Sequence, residues 1–389
     1  MQRAHKIKLQ PNNRQAAYFA KAAGTARFAF NWALAAWQRQ YEAGEKPSAY
    51  GLKKQFNALK KQEFPWITEV TKCSPERAFA DLDRAFKNFF RRARQGKAPG
   101  YPKFKKKGQK DSFHISNQHF KLDGPRIFVP RLGWVRMRES LRFSGKLQSV
   151  VISKNAAGWF AAVSVEMPDS PVSENQARRA VGIDLGIKQL AVTSDGEFFD
   201  NPKPTEKYQK RLRRLNKSLA RKQKGSSNWK KAKQKIGKLH YRIACVRQDT
   251  SHKLTTYLAS TYTDVCIEDL NTSGMVRNRR LAKAISDSAF SEIRRQLAYK
   301  CLSLHVIDRW FASTKLCPQC GQINVMPLGK RVYECECGYG PIDRDLHAAR
   351  NILRQGLPRQ PVEKEALTQT YLCETSLNEA GTLLKTSDL

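Results

Sequence analysis

The chain has 389 residues, of which 71 are Lys or Arg and 34 are Asp or Glu, giving a formal net charge of +37. That length allows roughly two to four domains, each with its own core. So large a positive excess repels itself unless an anionic partner neutralises it, and without any run of about 20 apolar residues that partner is nucleic acid rather than a membrane.

The N-terminal MQRAHKIKLQPNNRQ lacks the apolar core of a signal peptide. Residues 3 to 10 alternate weakly and predict a strand. From Asn12 a helix is expected, because Phe19, Ala26, Phe30, Ala33, Trp37 and Tyr41 recur at helical steps until Gly44 ends the pattern. A shorter helix follows around Tyr50 to Lys61. Ser74 and Pro75 then read as the N-cap and first-turn pair of a third helix, with Phe79, Leu82, Phe86 and Phe89 on one face. Aromatics so spaced describe a helical-bundle core first of all; the outer face carries Arg91, Arg92 and Arg94. The loop GKAPGYPKFKKKGQK, residues 96 to 110, interleaves Tyr101 and Phe104 with Lys103 and Lys105. Such a mixture suits base stacking and phosphate contact together, although Gly and Pro also suit a plain linker. Between Ser112 and Met167 the runs FHIS, RIFVP, WVRMR, SVVIS and WFAAVSVEM alternate with turns at Asp123-Gly124 and Ala157-Gly158. They predict a small β-barrel that takes in the N-terminal strand, with the helical block inserted. PDSPVSENQARR, residues 168 to 179, reads as a polar linker.

The stretch AVGIDLGIKQLAVTSDGEFFD, residues 180 to 200, reads as strand, strand, Asp-Gly turn and strand, with Asp184 at the end of the first. A carboxylate on a central strand needs a cation or a donor. Comparable acids recur at Glu268, closing the apolar run from Asp264, and at Asp343 and Asp345, opening an Ala/Leu helix. Three acidic sites so far apart converge only through a fold, and a pair of divalent hard cations is their natural ligand. Between them, residues 203 to 247 hold a dense cationic run with Glu206 as the one acid. Leu212, Leu215 and Leu219 fit one helix; Trp229, Ile236, Leu239, Ile243 and Val246 fit a second, with a break at Lys224 to Asn228. This is a basic hairpin, apolar on one side, whose outer stripe of Arg211, Arg213, Arg214, Lys217, Arg221 and Lys222 is placed to bind phosphates. Leu281 to Leu302 predicts one helix and Leu304 to Ile307 a strand, so the whole stretch reads as an α/β, ribonuclease-H-like (RNase H-like) arrangement.

Cys73, Cys245, Cys266, Cys301 and Cys373 are scattered singly, which argues against a secreted disulfide framework and for a reducing cytoplasm. The other four cysteines cluster. CPQC (Cys317, Cys320) and CEC (Cys335, Cys337) form a four-thiolate set suited to structural Zn²⁺, immediately before the third acidic cluster. The tail after Arg359 carries five acids against two lysines and is expected to be disordered.

Taken together, GIDLGIK, IEDLNTSGM, STKLCPQCG with CECG, and DRDLHAARNI resemble the TnpB family, the OrfB-type proteins of bacterial insertion sequences and relatives of the type V CRISPR effectors. The resemblance runs from the first strand to about residue 354. It implies a wedge-type β-barrel at 1–10 and 111–168, a helical recognition lobe at 11–110, and a RuvC-type nuclease domain at 180–312 and 341–356. A zinc-binding insertion at 313–340 and a tail at 357–389 complete the expected layout. The implied activity is RNA-guided DNA endonuclease in a bacterial cytoplasm, associated with the nucleoid. Its implied partners are a guide RNA from the transposon end and double-stranded DNA bearing a short flanking motif. Carried over by motif, the catalytic acids are Asp184, Glu268 and Asp345 with two Mg²⁺; Asp345 is preferred to Asp343 because it occupies the acid of a D-x-N-A-A pattern, here DLHAA with His347 in place of Asn. Two other readings stay open: a guide-RNA-dependent DNA-binding repressor that no longer cuts, and a strand-transfer transposase of the same fold.

Overall fold

The computed structural model describes residues 2–167, 179–327 and 329–357; the expected linker at 168–179, except Arg179, and the acidic tail beyond 357 lie outside them. In chain order the first elements are β1 (Gln2–Lys8), α1 (Asn13–Glu42), α2 (Ala49–Leu59) and α3 (Cys73–Arg94). Strands β2 (Ser112–Ser116), β3 (Lys121–Asp123), β4 (Arg126–Val129), β5 (Gly133–Arg136), β6 (Lys146–Asn155) and β7 (Gly158–Glu166) follow. Next come β8 (Ala180–Asp184), β9 (Gln189–Thr193), β10 (Phe198–Asp200), α4 (Pro204–Ala220), α5 (Ser227–Thr261) and β11 (Asp264–Glu268). The last are α6 (Thr272–Met275), α7 (Ala282–Ser288), α8 (Phe290–Lys300), β12 (Ser303–Ile307), β13 (Val332–Tyr333), β14 (Ile342–Asp343) and α9 (Arg344–Gly356).

Two compact units divide these elements. The first comprises the described residues of Met1–Arg178, Asn201–Tyr257 and Thr272–Gln296. By contact, the helices within Asn201–Tyr257 cluster with this first unit. Helix α1 starts with a capping box: the Asn12 side chain accepts from the Gln15 N–H, and the Gln15 side chain accepts from the Asn12 N–H. Its apolar face serves two cores in turn. Phe19, Ala22 and Ala23 join Ile115, Val150, Ile152 and Val163 from the strands, while Ala29, Phe30, Ala33 and Leu34 join Leu52, Phe56, Phe79, Leu82 and Phe86 from α2 and α3. Strand β1 pairs antiparallel with β7 from Gln2↔Glu166 to Lys8↔Phe160, giving a sheet of order β1-β7-β6-β2. A second sheet, β3-β4-β5, shares its core, and a bridge between Leu9 and Met137 links the two.

Two local expectations are corrected. Helix α3 begins at Cys73 rather than being capped by Ser74; Ser74 is buried, its hydroxyl has no hydrogen-bond partner, and the Cys73 N–H instead reaches Thr71 Oγ1 at 3.4 Å. Pro fits anywhere in a first turn, so the Ser-Pro pair does not fix the helix start. The helix expected over 281–302 is two helices, because Ala289 adopts a left-handed φ of 53° between α7 and α8. The cause lies far away in sequence. Buried Asp287 accepts from the Thr205 N–H at 2.9 Å, from Thr205 Oγ1 at 2.7 Å and from Arg247 Nε at 2.9 Å. Asn201 Nδ2 also donates to Ser288 Oγ at 2.9 Å. Those tertiary partners offset the roughly 1–2 kcal/mol that a non-glycine left-handed residue costs.

The second unit comprises the described residues of Arg179–Asp200, Leu258–Asn271 and Leu297–Leu389. Its sheet has the order β10-β9-β8-β11-β12; β8, β11 and β12 run parallel, while β9 is antiparallel to both β8 and β10. Val181 and Ile183 on β8 and Val265 and Ile267 on β11 are almost fully buried, as expected of parallel strands in a sheet interior. Helix α9 lies directly on the sheet. A Cβ added to Gly182 would stand 2.1 Å from the Ala349 carbonyl oxygen and 2.5 Å from the Leu353 nitrogen. One added to Gly356 would stand 2.5 Å from Cys266 Sγ, so glycines let the helix approach both central strands.

Candidate active site and metal centre

Side chains two residues apart on a strand share a face, so Asp184 points to the same side as Gly182, toward α9. On α9, Asp345 lies one turn before Ala349, the residue seated on Gly182. The parallel pairing Ile267↔Ile183 brings the end of β11, and with it Glu268, beside the end of β8. Three elements thus deliver three acids to one edge of one sheet.

Burial, then the charges of Glu268 and Asp345, push the Asp184 carboxyl up from 3.8 to about 7, against a smaller opposing pull from Arg344. Glu268 is raised too, by burial, with the Ser313 hydroxyl donating to Oε1 and working the other way. Asp343 has a different duty: its side chain accepts from the N–H groups of Asp345 at 2.9 Å and Leu346 at 3.2 Å, which makes it the N-cap of α9. Asp345 is left facing Arg331 at 3.9 Å.

Among the described residues, only the cysteine group has ligand atoms all within 4.8 Å of one another.

Cys317, Cys320, Cys335 and Cys337 meet as the spacing predicts, CEC included. The Sγ–Sγ distances Cys317–Cys337 and Cys320–Cys335 are both 3.6 Å. Four thiolates around a tetrahedral Zn²⁺ stand about 3.8 Å apart, so the donor set fits that ion. The N–H of Cys337 donates to Cys335 and pulls its thiol down to about 6, while within the same set Cys320 and Cys337 are raised. Tyr333 and Met326 pack beneath as a small core. Tyr333 also stacks on His347 of α9, with ring centroids 3.7 Å apart and planes at 13°. His347 is fully buried, burial holds its imidazole down to about 4, and Nε2 lies 3.1 Å from Asn351 Nδ2. His347 is therefore where the cysteine finger packs on α9.

Sequence reasoning missed Ser313 and Asn351, whose amide donates to the carbonyls of Ser313 and Leu316 at 2.8 Å each. The signal was present in STKLC, which read only as a flank of the cysteines.

Of the cationic candidates in the first unit, Arg213, Arg214, Lys217, Arg221 and Lys222 line one groove on α4 with Lys210, while Arg211 is exposed but off it. Leu212 on the opposite side packs with Leu239 and Ile243 of α5. The basic loop divides. Lys103 is exposed, and Tyr101 packs edge-on against Phe86 and Phe89 at 5.7 and 5.4 Å with part of its ring in solvent. Lys105 is pinned: its ammonium lies 4.0 Å from the Phe30 ring centroid and 3.9 Å from Asp81, and its backbone exchanges two hydrogen bonds with Asn31. Burial lowers its pKa.

Fold and site together define an α/β protein with a cluster of carboxylates where β8, β11 and α9 meet, and a four-cysteine finger packed on α9. Comparison with known proteins narrows this. Residues 162–279 match the family model OrfB_IS605, described as "Probable transposase", and 290–352 match the Cas12f1-like TNB domain. Residues 1–46 match a model described as a helix-turn-helix domain, although in this chain that span is β1 and the single long α1. The chain is 36% identical over 381 residues to "Putative RNA-guided DNA endonuclease InsQ" of Escherichia coli (strain K12), covering 91% of this chain and 92% of that one. It is 35% identical over 371 residues to a Streptomyces pristinaespiralis protein named "Putative RNA-guided DNA endonuclease", covering 92% and 90%. The chain belongs to the OrfB (TnpB) family of insertion-sequence proteins. Among solved structures, CasPhi-2 (Cas12j) bound to crRNA matches with a TM-score of 0.44 at 10% identity, covering 91% of this chain and 98% of that one. In the described residues, no helix is long and apolar enough to cross a membrane.

Proposed function

We propose that this chain is an RNA-guided DNA endonuclease encoded by an insertion sequence, cutting phosphodiester bonds at Asp184, Glu268 and Asp345. The observation that carries the reading is the convergence of β8, β11 and α9 on one buried carboxylate: burial first, and then the charges of Glu268 and Asp345, raise Asp184 to about 7. Such a cluster is costly without cations and useful with them. The fold is read as RNase H-like (RuvC-type), and Asp184, Glu268 and Asp345 would hold two Mg²⁺. Those ions supply, when bound, an acidified water and charge stabilisation at the leaving 3′ oxygen. The chain's own residues orient the ligands: Ser313 donates to Glu268, and Asp343 caps the helix that carries Asp345. Cys317, Cys320, Cys335 and Cys337 would hold a structural Zn²⁺ and, through Tyr333 and His347, fix that same helix.

Guide RNA from the transposon end would supply sequence recognition by base pairing, with the protein reading backbone shape and a short flanking motif on the double-stranded DNA target. The groove on α4 is the basic surface offered to that backbone. The layout of wedge-type strands, helical lobe, nuclease segments and finger is kept as the sequence resemblance drew it.

Asp184→Ala should abolish cleavage of a guide-matched duplex in magnesium while guide-dependent binding persists. Cutting that survives in the variant, with contaminating nuclease excluded, refutes the assignment. A product in which a 3′ hydroxyl is joined to new DNA would assign a strand-transfer transposase instead.

A further inference from the structure

Trp310 is 86% exposed, while its neighbour Phe311 packs inward against Cys266, Ile307 and Ile352. A single exposed hydrophobic side chain is ordinary on a protein surface, and a tryptophan on a floppy loop would mean nothing. This loop is not floppy in its bonding. Asp308 Oδ1 accepts from the Trp310 N–H at 2.7 Å, and Arg309 forms an ion pair with Asp269, the residue after Glu268. The Asp269 N–H also donates to the Ile307 carbonyl at 3.1 Å. Three residues past Trp310, Ser313 donates to Glu268 itself, while its carbonyl accepts from Asn351 on α9. The segment 308–316 is therefore tied to β11 and to α9, the elements that carry two of the three acids. Between those ties it presents the flat face of an indole to solvent.

We infer that Trp310 is a stacking platform for one base of the DNA strand delivered to the carboxylate site, setting which phosphodiester faces Asp184, Glu268 and Asp345. The inference rests on the nuclease reading and deepens it. A nucleic-acid base is the planar, apolar-faced partner that an exposed indole matches without regard to sequence, at roughly 1–3 kcal/mol per stacked base. Exposed Lys315 lies on the same segment as a cation for an adjoining phosphate. An unpaired strand is required, since bases in a duplex hide their faces.

The test uses the full chain purified with its RNA, in magnesium, and three forms: wild type, Trp310→Ala and Trp310→Phe. The probe is a single-stranded oligodeoxynucleotide with phosphorothioate linkages and one 2-aminopurine, whose fluorescence falls on stacking. Wild type and Trp310→Phe should quench it, and Trp310→Ala should lose most of that quenching at an unchanged melting temperature. On a cleavable guide-matched target, Trp310→Ala should cut about 10-fold more slowly or more and spread its cut positions, with guided binding unchanged. Quenching that persists in Trp310→Ala overturns the platform, and so does wild-type cutting at wild-type positions. A wild-type chain that quenches through Trp310 but never cuts would sink the nuclease reading and leave the platform standing.

Discussion

Asp184 is a residue whose charge the fold works against. Its carboxyl rises from 3.8 to about 7, so between those values the folded chain holds a proton that the unfolded chain has released. Stability of the metal-free protein should therefore fall as pH climbs from about 4 to 7, the reverse of the usual aspartate case. Asn at this position is neutral throughout. Asp184→Asn should then raise metal-free stability at pH 8, with a ceiling near 4 kcal/mol from the size of the gap and about 1–3 kcal/mol after neighbours relax. At pH 4 the gain should vanish. Thermal melts with a chelator at both pH values check this, and added magnesium should stabilise the wild type at pH 8 but hardly the variant. Equal melting curves at pH 8 would remove the electrostatic account of the site. The sequence announced Asp184, Glu268 and the cysteines because each stands where a simple pattern breaks: an acid closing an apolar run, or thiols at ligand spacing. It did not separate Asp343 from Asp345 on physical grounds. In the fold the two differ: the Asp343 carboxylate caps α9, while that of Asp345 lies 3.9 Å from Arg331.

At the scale of elements, strands and helices were legible where periodicity alone decides them, as in α1 with its Asn12–Gln15 box and the β8–β9–β10 meander. What stayed illegible was set by distant partners. Ala289 breaks its helix because Asp287 and Ser288 are claimed by residues 201, 205 and 247. Gly182 read as one more member of an apolar run, yet it is where α9 touches the sheet. Gly182→Ala would force a methyl into the Ala349 and Leu353 backbone, and overpacking of this kind costs typically 1–3 kcal/mol or more. Urea unfolding should register that loss, and a magnesium-dependent cleavage defect should accompany it because α9 carries Asp345. The cysteine finger acts on the same helix from its other side. Removing zinc with a strong chelator should free Tyr333 from His347 and let Asn351 release the Ser313 and Leu316 carbonyls. Hydrogen exchange should then accelerate over 313–316 and 342–349 but not over α1 to α3. Uniform protection in both states would mean that the finger folds without its metal.

For the whole molecule, a net charge of +37 makes non-specific affinity for nucleic acid unavoidable, so the informative question is where that charge is used. Each protein cation held on a phosphate releases condensed counterions, which makes affinity fall linearly with log salt at about 0.7–0.9 per contact. The α4 groove gathers Arg213, Arg214, Lys217, Arg221 and Lys222 on one face, whereas Arg211 lies off it and Lys105 is spent on Phe30 and Asp81. Arg213, Arg214 and Lys217 each replaced by Ala should therefore flatten the salt dependence of RNA binding by about 2 to 3. Arg211→Ala and Lys105→Ala should each change it by less than a single full contact. Binding titrations with the co-purifying RNA from 50 to about 300 mM salt, chosen to span the range where counterion release dominates, measure the slopes directly. Should the triple variant keep the wild-type slope, the groove is a solvated face and the phosphates run elsewhere. Should Arg211→Ala match one groove residue, the contact wraps around α4 rather than following the groove. A flattened slope confined to the groove residues would make α4 the place where the chain's excess charge becomes a docking surface, and the bound RNA the anionic partner that so basic a composition requires.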